Sequence, residues 1–368
     1  MKKDLYGTRL YVNLNSLEKN IKVLKTIHKN TKIIAMVKAN AYGHGDIVIA
    51  KKMENCGISY FGVADFEEGI RLRNNGVQQS IMVMNPGVNN LEAIIKHNID
   101  PVIYNKTMLS ALIQYVNNTN PTLNKVQIHI KINTGMNRWG FDISELPEIL
   151  WELKNQQRIQ VVSIYSHLAS ADISSDDFFT LNQIKKLLNA SALFTKELNY
   201  KTPIHILNSS GVLRGFNTSQ KFHYSRVGIM LYGGGDHPKL DPISELRCTI
   251  SQIREVDNGA SIGYQRKFIS DRKLRIGIIP FGYADGLQRQ WGNGVLKFYF
   301  QNQFIPTVGN ISMDSCIVDL SAIDNISVGD DVVYFGEKRP IWDLANELGT
   351  IPYEITSTLS MRIKRIYT

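Results

Sequence analysis

The chain has 368 residues, 43% of them hydrophobic and 20% charged, with a formal net charge of +9 from 42 basic and 33 acidic side chains. That length can bury a barrel-sized core or two smaller ones, which excludes a small accessory module. Basic and acidic residues interleave without a long basic block, so nucleic-acid binding is not expected, and no run reaches the roughly 18–20 apolar residues of a membrane span.

The opening residues, MKKDLYGTRLYVNLNS, hold no continuous apolar segment of secretory length, which reads as a cytoplasmic protein. Within them TRLYVNLNS is a strand candidate with no place in the pattern that follows. Leu17, Ile21, Leu24 and Ile27 then give the three-to-four-residue period of a helix. From residue 33 short apolar runs alternate with longer amphipathic segments. The runs are IIAMV (33–37), YFGVA (60–64), SIMVM (80–84), DPVIY (100–104), QIHIKI (127–132), VVSIYSH (161–167), IHILNS (204–209) and RVGIMLYG (226–233). Eight strands separated by helices predict a (β/α)8 TIM barrel over residues 1–240, with its chemistry at the C-terminal ends of the strands. After about residue 240 the texture changes to β-rich segments such as LRIGIIPFG and DDVVYFG, broken by turns such as GNG and VGDD, with one helical stretch near IWDLANELG. A mainly-β domain is therefore expected over 241–368, and residues 1–14 are expected to pair with it. Cys56, Cys248 and Cys316 match neither a zinc spacing nor a disulfide framework, so three free thiols and no metal site are expected.

Lys38 follows the first barrel run directly. At the mouth of a barrel, apolar walls and neighbouring cations lower a lysine pKa and leave a neutral amine able to condense with aldehydes. Later runs deliver an imidazole (His167), an amide and a hydroxyl (Asn208, Ser209) and a guanidinium (Arg226) to the same end. Barrel phosphate sites commonly use the loops after strands seven and eight, which makes Ser209 and the main-chain amides of Gly228 and Ile229 phosphate ligands in this reading. A reactive lysine opposite a phosphate cradle points to a phosphorylated aldehyde, and pyridoxal phosphate is the common one. Taken singly, Lys38 reads equally as a solvated lysine, and His167 more readily as a structural histidine.

Nine motifs in order carry a resemblance over nearly the whole chain: VKANAYGHG (37–45), KINTGMNRWG (131–140), YSH (165–167), NSS (208–210), RVGIMLYG (226–233), GY (263–264), GYADGLQR (282–289), MD (313–314) and GTIPYEI (349–355). On these the chain resembles the alanine racemase family, pyridoxal-phosphate enzymes with an N-terminal barrel and a C-terminal β domain. The resemblance implies that Lys38 binds the cofactor covalently and that Tyr42, Ser209 and Tyr353 hold its phosphate with the amides of Gly228 and Ile229. It places Arg226 against the pyridine nitrogen and His167 against the ring. Lys38 and Tyr264 become the two bases of racemisation, Tyr264 coming from the partner subunit of a homodimer with shared active sites. Arg138 and the main-chain amide of Met313 would contact the substrate carboxylate, with Arg138 also reaching the cofactor hydroxyl. Lys131 matches a lysine that is carbamylated in many members, and Tyr283 and Arg289 match residues at the substrate entrance.

The implied activity is interconversion of L-alanine and D-alanine, which supplies the D-isomer for peptidoglycan. The alternatives keep the cofactor: a racemase of serine or of a longer or basic amino acid, or a non-catalytic pyridoxal-phosphate-binding protein. Three residues depart from the family pattern. Asn133 stands for the usual Asp, removing a carboxylate near Lys131 and Arg138. Val227 stands for proline and is expected to loosen the phosphate loop slightly, and Gln265 stands for glycine, adding bulk beside Tyr264.

Overall fold

The protein is described by a computed structural model covering residues 7–28, 31–119, 125–216, 222–234 and 237–368. Residues 1–6 of the N-terminal segment lie outside the described residues. Strand β1 is Thr8–Val12 and helix α1 is Leu14–His28, which buries Leu17, Ile21 and Leu24 as their spacing predicts. The barrel follows as β2 (Lys32–Met36), β3 (Tyr60–Val63), β4 (Ser80–Val83), β5 (Asp100–Ile103), β6 (Val126–Lys131), β7 (Ile159–Tyr165), β8 (Ile204–His205) and β9 (Tyr224–Val227). These runs are apolar on both faces because the side chains inside the ring and those under the helices are equally shielded from water. Their order is β8-β7-β6-β5-β4-β3-β2-β9, and every pairing is parallel. The ring closes where the main-chain N–H of His223 donates to the carbonyl of Ile204 and that of Arg226 to the carbonyl of Leu207, each at 2.9 Å.

Two strands are shorter than the apolar runs that announce them. β8 stops at His205, and β9 stops at Val227 although the run continues to Tyr232. Residues 228–234 curl into successive tight turns, with Leu231 N–H bonded to Gly228 O and Gly234 N–H to Ile229 O. Ile229, Met230, Leu231 and Tyr232 are nonetheless buried. Apolarity here reports burial and not extension.

The C-terminal part comprises β10 (Ser244–Thr249), β11 (Gln252–Val256), β12 (Ser261–Ile262), β13 (Phe268–Ile269), β14 (Leu274–Ile279), β15 (Lys297–Phe300), β16 (Gln303–Val308), β17 (Cys316–Asp319), β18 (Asp331–Phe335) and β19 (Lys364–Tyr367). Nine strands form one sheet in the order β11-β14-β17-β16-β15-β18-β10-β1-β19. The first strand of the chain lies between β10, to which it is antiparallel, and β19, to which it is parallel. β12 and β13 form a separate hairpin with Tyr264 in its connection. Two short helices, Ile341–Glu347 and Pro352–Ser357, precede β19. One buried apolar cluster runs from β2 and β3 into this sheet, so the two parts share a core. Among the described residues no helix is long and apolar enough to cross a membrane.

Candidate active site

β2 ends at Met36, one buried residue (Val37) before Lys38, and the chain then makes a turn of left-handed helix. Ala39, Asn40, Ala41 and Tyr42 all have φ between 51° and 54°. For residues with a Cβ this conformation costs roughly 1–2 kcal/mol each, so surrounding contacts must hold it. The Glu68 carboxylate accepts from the N–H of Ala39 (2.5 Å) and of Ala64 (2.8 Å). From β19, Arg365 Nε donates to the carbonyl of Gly43 (3.0 Å) and Tyr367 Oη to that of His44 (3.1 Å). Gly43 and Gly45 have φ of 86° and 97°, and a Cβ on either would stand 1.9 Å from Thr356 O or Tyr367 Oη respectively. The small surface of the YGHG segment is therefore required by the close approach of the C-terminal part. Burial lowers the Lys38 pKa, with Arg138 and Arg226 adding to the effect and Glu68 opposing it.

Arg226, on β9, is buried. Its Nη1 lies 2.5 Å from His205 Nδ1, and its Nη2 donates to the carbonyl of Ser166 (2.6 Å) and lies 2.9 Å from His167 Nδ1. A guanidinium has only donors, so both imidazoles accept at Nδ1 and carry their proton on Nε2. Burial, with Arg226 next, holds both histidines well below the usual imidazole range and hence neutral. Arg226 Nε is buried and has no partner among the described residues. The ring of Tyr165 lies under the guanidinium, 4.8 Å from Cζ to the centroid, and stacks on His205 at 4.9 Å.

Lys131, the last residue of β6, is buried with Nζ 5.2 Å from the Trp139 ring centroid and 5.6 Å from that of Tyr165. Burial, followed by Arg226, Arg138 and Lys38, brings its pKa down from 10.5 to about 7. The Arg138 guanidinium covers Trp139 at 5.0 Å, so this ring faces two cations. Asn133 does not simply vacate a carboxylate position: its Nδ2 donates to Asp142 Oδ1 (2.9 Å) and to Asn137 Oδ1, and its Oδ1 accepts from the N–H of Gly135 and Asn137. An aspartate could not donate to Asp142, so Asn133 suits the loop that carries Arg138.

A second group gathers beyond β8 and β9. Asn208 caps the short helix Ser209–Leu213 by accepting from Gly211 N–H, and Ser209 Oγ accepts from Gly228 N–H at 3.2 Å, leaving the Ser209 hydroxyl proton available. The Tyr42 ring lies 5.0 Å from Tyr232 and 6.0 Å from Tyr353, which the helix Pro352–Ser357 brings from the C-terminal part. Burial raises the Tyr42 phenol and pushes that of Tyr353 up to about 12, so both are hydrogen-bond donors at neutral pH. A Cβ on Gly228 would stand 2.3 Å from Tyr42 Oη, so only glycine lets the phenol pack against the main chain here. Val227 is fully buried and paired with Ala35 in β2.

The remaining residues singled out in the sequence form a separate, exposed group on the C-terminal part. Tyr264 is 69% exposed and Met313 54%. Tyr283 and Ala284 donate their N–H groups to the carbonyls of Ser312 and Met313, and Arg289 Nη2 donates to Gln265 Oε1 at 3.3 Å. The bulk of Gln265, at a φ of 61°, is thus tied to the arginine of the proposed entrance. Among the described residues no hydrogen bond, ion pair or ring contact links Tyr264 or Met313 to Lys38 or Arg226. Within one chain the site is in two halves. Sequence reasoning missed Glu68, Tyr165, Trp139 and His205. The signal for His205 was present: a polar residue at an inward position of a barrel strand otherwise apolar on both faces.

A parallel barrel with a lysine of lowered pKa, a buried guanidinium nitrogen without a partner among the described residues and a cluster of hydroxyl and amide groups defines a class of protein whose barrel mouth sets donors suited to an anionic ligand beside an amine. Residues 12–236 match the alanine racemase N-terminal domain and residues 243–367 the alanine racemase C-terminal domain. The chain is 34% identical to alanine racemase 1 of Caldanaerobacter subterraneus subsp. tengcongensis, over 98% of this chain and 94% of that protein, and 33% identical to the alanine racemase of Clostridium tetani, over 97% and 94%. Among solved structures it resembles the alanine racemase of Clostridium difficile 630 (TM-score 0.88, 30% identity, 99% and 96% covered). It also resembles that of Bartonella henselae with covalently bound pyridoxal phosphate (0.86, 29%, 99% and 100%). The chain belongs to the alanine racemase family. The C-terminal match sets aside the single-barrel, non-catalytic alternative.

Pyridoxal phosphate fits the donor set on this structure's own terms. The absence of a Cβ at Gly228 lets the Tyr42 phenol come up against the main chain there, Ser209 Oγ reaches the Gly228 amide, the Tyr353 ring packs beside Tyr42, and Arg226 Nε is a buried donor lacking an acceptor among the described residues.

Proposed function

We propose that the protein racemises alanine with pyridoxal phosphate as cofactor, using Lys38 and, from a second copy of the chain, Tyr264 as bases on opposite faces of the substrate. The observation that carries this reading is the pairing of a half-buried lysine of lowered pKa with a buried Arg226 Nε that has no partner among the described residues. When bound, the cofactor supplies an aldehyde that condenses with amines and a ring that draws electrons from the bond to be broken. Arg226, a donor that stays protonated, would face the ring nitrogen without giving it a proton, which would moderate the electron demand and favour proton exchange over transamination. His167 and the Tyr165 ring keep the guanidinium in plane. Tyr42, Ser209, Tyr353 and the amides of Gly228 and Ile229 hold the phosphate, and Asn208 sets the helix end that presents Ser209.

Lys38 Nζ is the attachment point and takes or returns the α-proton on one face. The phenol of Tyr264 serves the other face. Its exposure in the single chain, like that of Met313, supports a homodimer in which each copy completes the other's site. Arg138 and the Met313 amide bind the substrate carboxylate. Lys131, with much of its population neutral near pH 7, is competent to take up carbon dioxide, and the resulting anion would orient Arg138. Tyr283 and Arg289 line the entrance, where Gln265 narrows the approach in favour of a small side chain. We place the enzyme in the cytoplasm, supplying D-alanine for peptidoglycan.

The test is borohydride reduction of the pyridoxal-phosphate-loaded protein followed by peptide mapping, together with solvent deuterium incorporation from both enantiomers of a panel of amino acids. A label on Lys38 and fastest exchange with alanine are expected. A label elsewhere, or faster exchange with serine or a basic amino acid, would overturn the assignment.

A further inference from the structure

A line of buried polar side chains crosses the barrel interior away from the substrate side. Beyond Arg226, His205 Nε2 lies 2.9 Å from Ser163 Oγ, Ser163 Oγ lies 2.6 Å from His129 Nδ1, and His129 Nε2 lies 2.6 Å from Tyr60 Oη. Tyr60 Oη donates to Asp100 Oδ2 at 2.6 Å. All six residues are buried, and they come from six strands: β9, β8, β7, β6, β3 and β5. Tyr60 and Asp100 are the first residues of β3 and β5, so the line ends at the closed floor of the barrel, opposite the mouth.

The chemistry of the ends fixes the direction of every bond. Arg226 can only donate, so His205 accepts at Nδ1 and must donate from Nε2 to Ser163. The serine hydroxyl then donates to His129 Nδ1, His129 donates from Nε2 to Tyr60, and Tyr60 donates to Asp100. A carboxylate only accepts, so the series begins at a donor-only group and finishes at an acceptor-only one. The opposite polarity would set an N–H of His205 against an N–H of Arg226. Burial keeps His129 down at about 3, so it is neutral and carries a single ring proton, as the series requires.

The arrangement also answers an electrostatic question. Arg226 is buried near Lys38, Lys131 and Arg138, and among the described residues it has no carboxylate within ion-pair distance. A buried charge without compensation is costly. Hydrogen bonds aligned head to tail polarise one another, so an anion at the far end strengthens the acceptor presented at the near end. Arg73 anchors the floor: its guanidinium donates to the carbonyls of Val77, Gln79, His97 and Asn98. Burial raises the Asp100 carboxyl to about 6, against the Tyr60 hydrogen bond and then the Arg73 charge, so Asp100 is the acceptor-only anion above that pH.

We propose that Asp100, Tyr60, His129, Ser163 and His205 are positioning residues that act through one directional series of hydrogen bonds to lock the Arg226 guanidinium, with Asp100 as its remote counter-ion, so that Nε, the guanidinium nitrogen with no partner among the described residues, is held ready to receive the cofactor ring. This rests on the reading of Arg226 as the cofactor's partner. None of the four residues from Asp100 to Ser163 touches the substrate or the cofactor cradle.

The experiment is a double-mutant cycle of Asp100→Asn and Ser163→Ala. It is read by the nitrogen-15 resonances of the Arg226 side chain in cofactor-free protein and by titration with pyridoxal phosphate. Asp100→Asn is expected to broaden the separate Nη signals of a locked guanidinium and to weaken pyridoxal phosphate binding about three- to tenfold, the size of one or two modest hydrogen bonds. With Ser163→Ala already present, the same substitution should add less than about 1.5-fold, because the series is already cut. Unchanged Arg226 signals and affinity in a folded Asp100→Asn protein, or an effect undiminished by Ser163→Ala, would overturn the proposal. Should Asp100→Asn fail to fold, Tyr60→Phe opens the series one bond earlier and is judged by the same two criteria. Failure of the parent protein to bind pyridoxal phosphate would refute the cofactor reading, and the Arg226 resonances would still decide for or against the series.

Discussion

Gly228→Ala tests the cofactor cradle most directly. The added Cβ would lie 2.3 Å from Tyr42 Oη and 2.8 Å from Cζ, where unstrained carbon contacts need about 3.5–4.0 Å. One of the two must move by about 1 Å. Tyr42 cannot yield cheaply, because its ring is buried between Tyr232 and Tyr353 and its backbone belongs to the left-handed turn that Glu68 and β19 hold. Overpacking of this kind costs about 1–3 kcal/mol of stability. Displacing the phenol also removes a hydrogen bond to a charged phosphate, about 1.5–3 kcal/mol, which corresponds to a rise of roughly 10- to 150-fold in the Kd for pyridoxal phosphate. Absorbance titration and thermal melting read the two effects separately. Adding Tyr42→Phe should recover part of the lost Tm, since the closest atom is gone, without recovering affinity. A Gly228→Ala protein with Kd within about threefold of the parent and an unchanged Tm would show that no phosphate sits at this corner.

Tyr264→Phe should slow deuterium exchange from L-alanine by about 100-fold or more while leaving the Kd for pyridoxal phosphate within about twofold, and parallel loss of both would remove Tyr264 as a base. Nitrogen of Lys131 incubated with carbon-13 bicarbonate should give a carbamate resonance that grows as pH rises through about 7 and is missing in Lys131→Met; a signal indifferent to that substitution would place the carbamate elsewhere. The same lysine has a folded-state pKa below its unfolded one, so the folded protein binds fewer protons from about pH 7 to 10.5 and gains stability as pH rises through that window. Lys131→Met should flatten this rise in the cofactor-free protein, and chemical denaturation at several pH values would show an unaltered slope if burial of the amine were not its source. Gly45→Ala sets a Cβ against Tyr367 Oη at a φ of 97°, and should lower stability by about 2 kcal/mol or more on denaturant unfolding. A neutral result would mean that β19 does not press on the turn.

The barrel was legible because eight short apolar runs alternate with longer amphipathic segments, and each of those eight strand candidates falls on an observed strand. Where the reading of residues 204–209 and 226–233 ran long, the cause was that turns buried between two packed units need apolar side chains as much as strands do. The side chains at strand ends were legible for the same geometric reason, and Lys38, Lys131, His167 and Arg226 do shift one another's protonation or share hydrogen bonds. The left-handed conformation of residues 39–42 was not legible, since Ala and Tyr do not favour it locally and distant contacts impose it. The role of Asn133 was read as a loss, and only the position of Asp142 nine residues on shows that an amide donor is needed there. Tyr60 and Asp100 gave no signal at all, because the partner of each lies on another strand.

The seat of Lys38 depends on the last strand of the sheet. The eight barrel strands are complete at Val227, yet Arg365 and Tyr367, which hold the segment after the lysine, lie far downstream, beyond the rest of the C-terminal part. β1 likewise has its two edges covered by strands distant in the chain, β10 on one side and β19 on the other. A barrel deprived of β19 would therefore still have all eight of its strands, but the segment that follows its amine would lose the two hydrogen bonds that pin it from outside the ring.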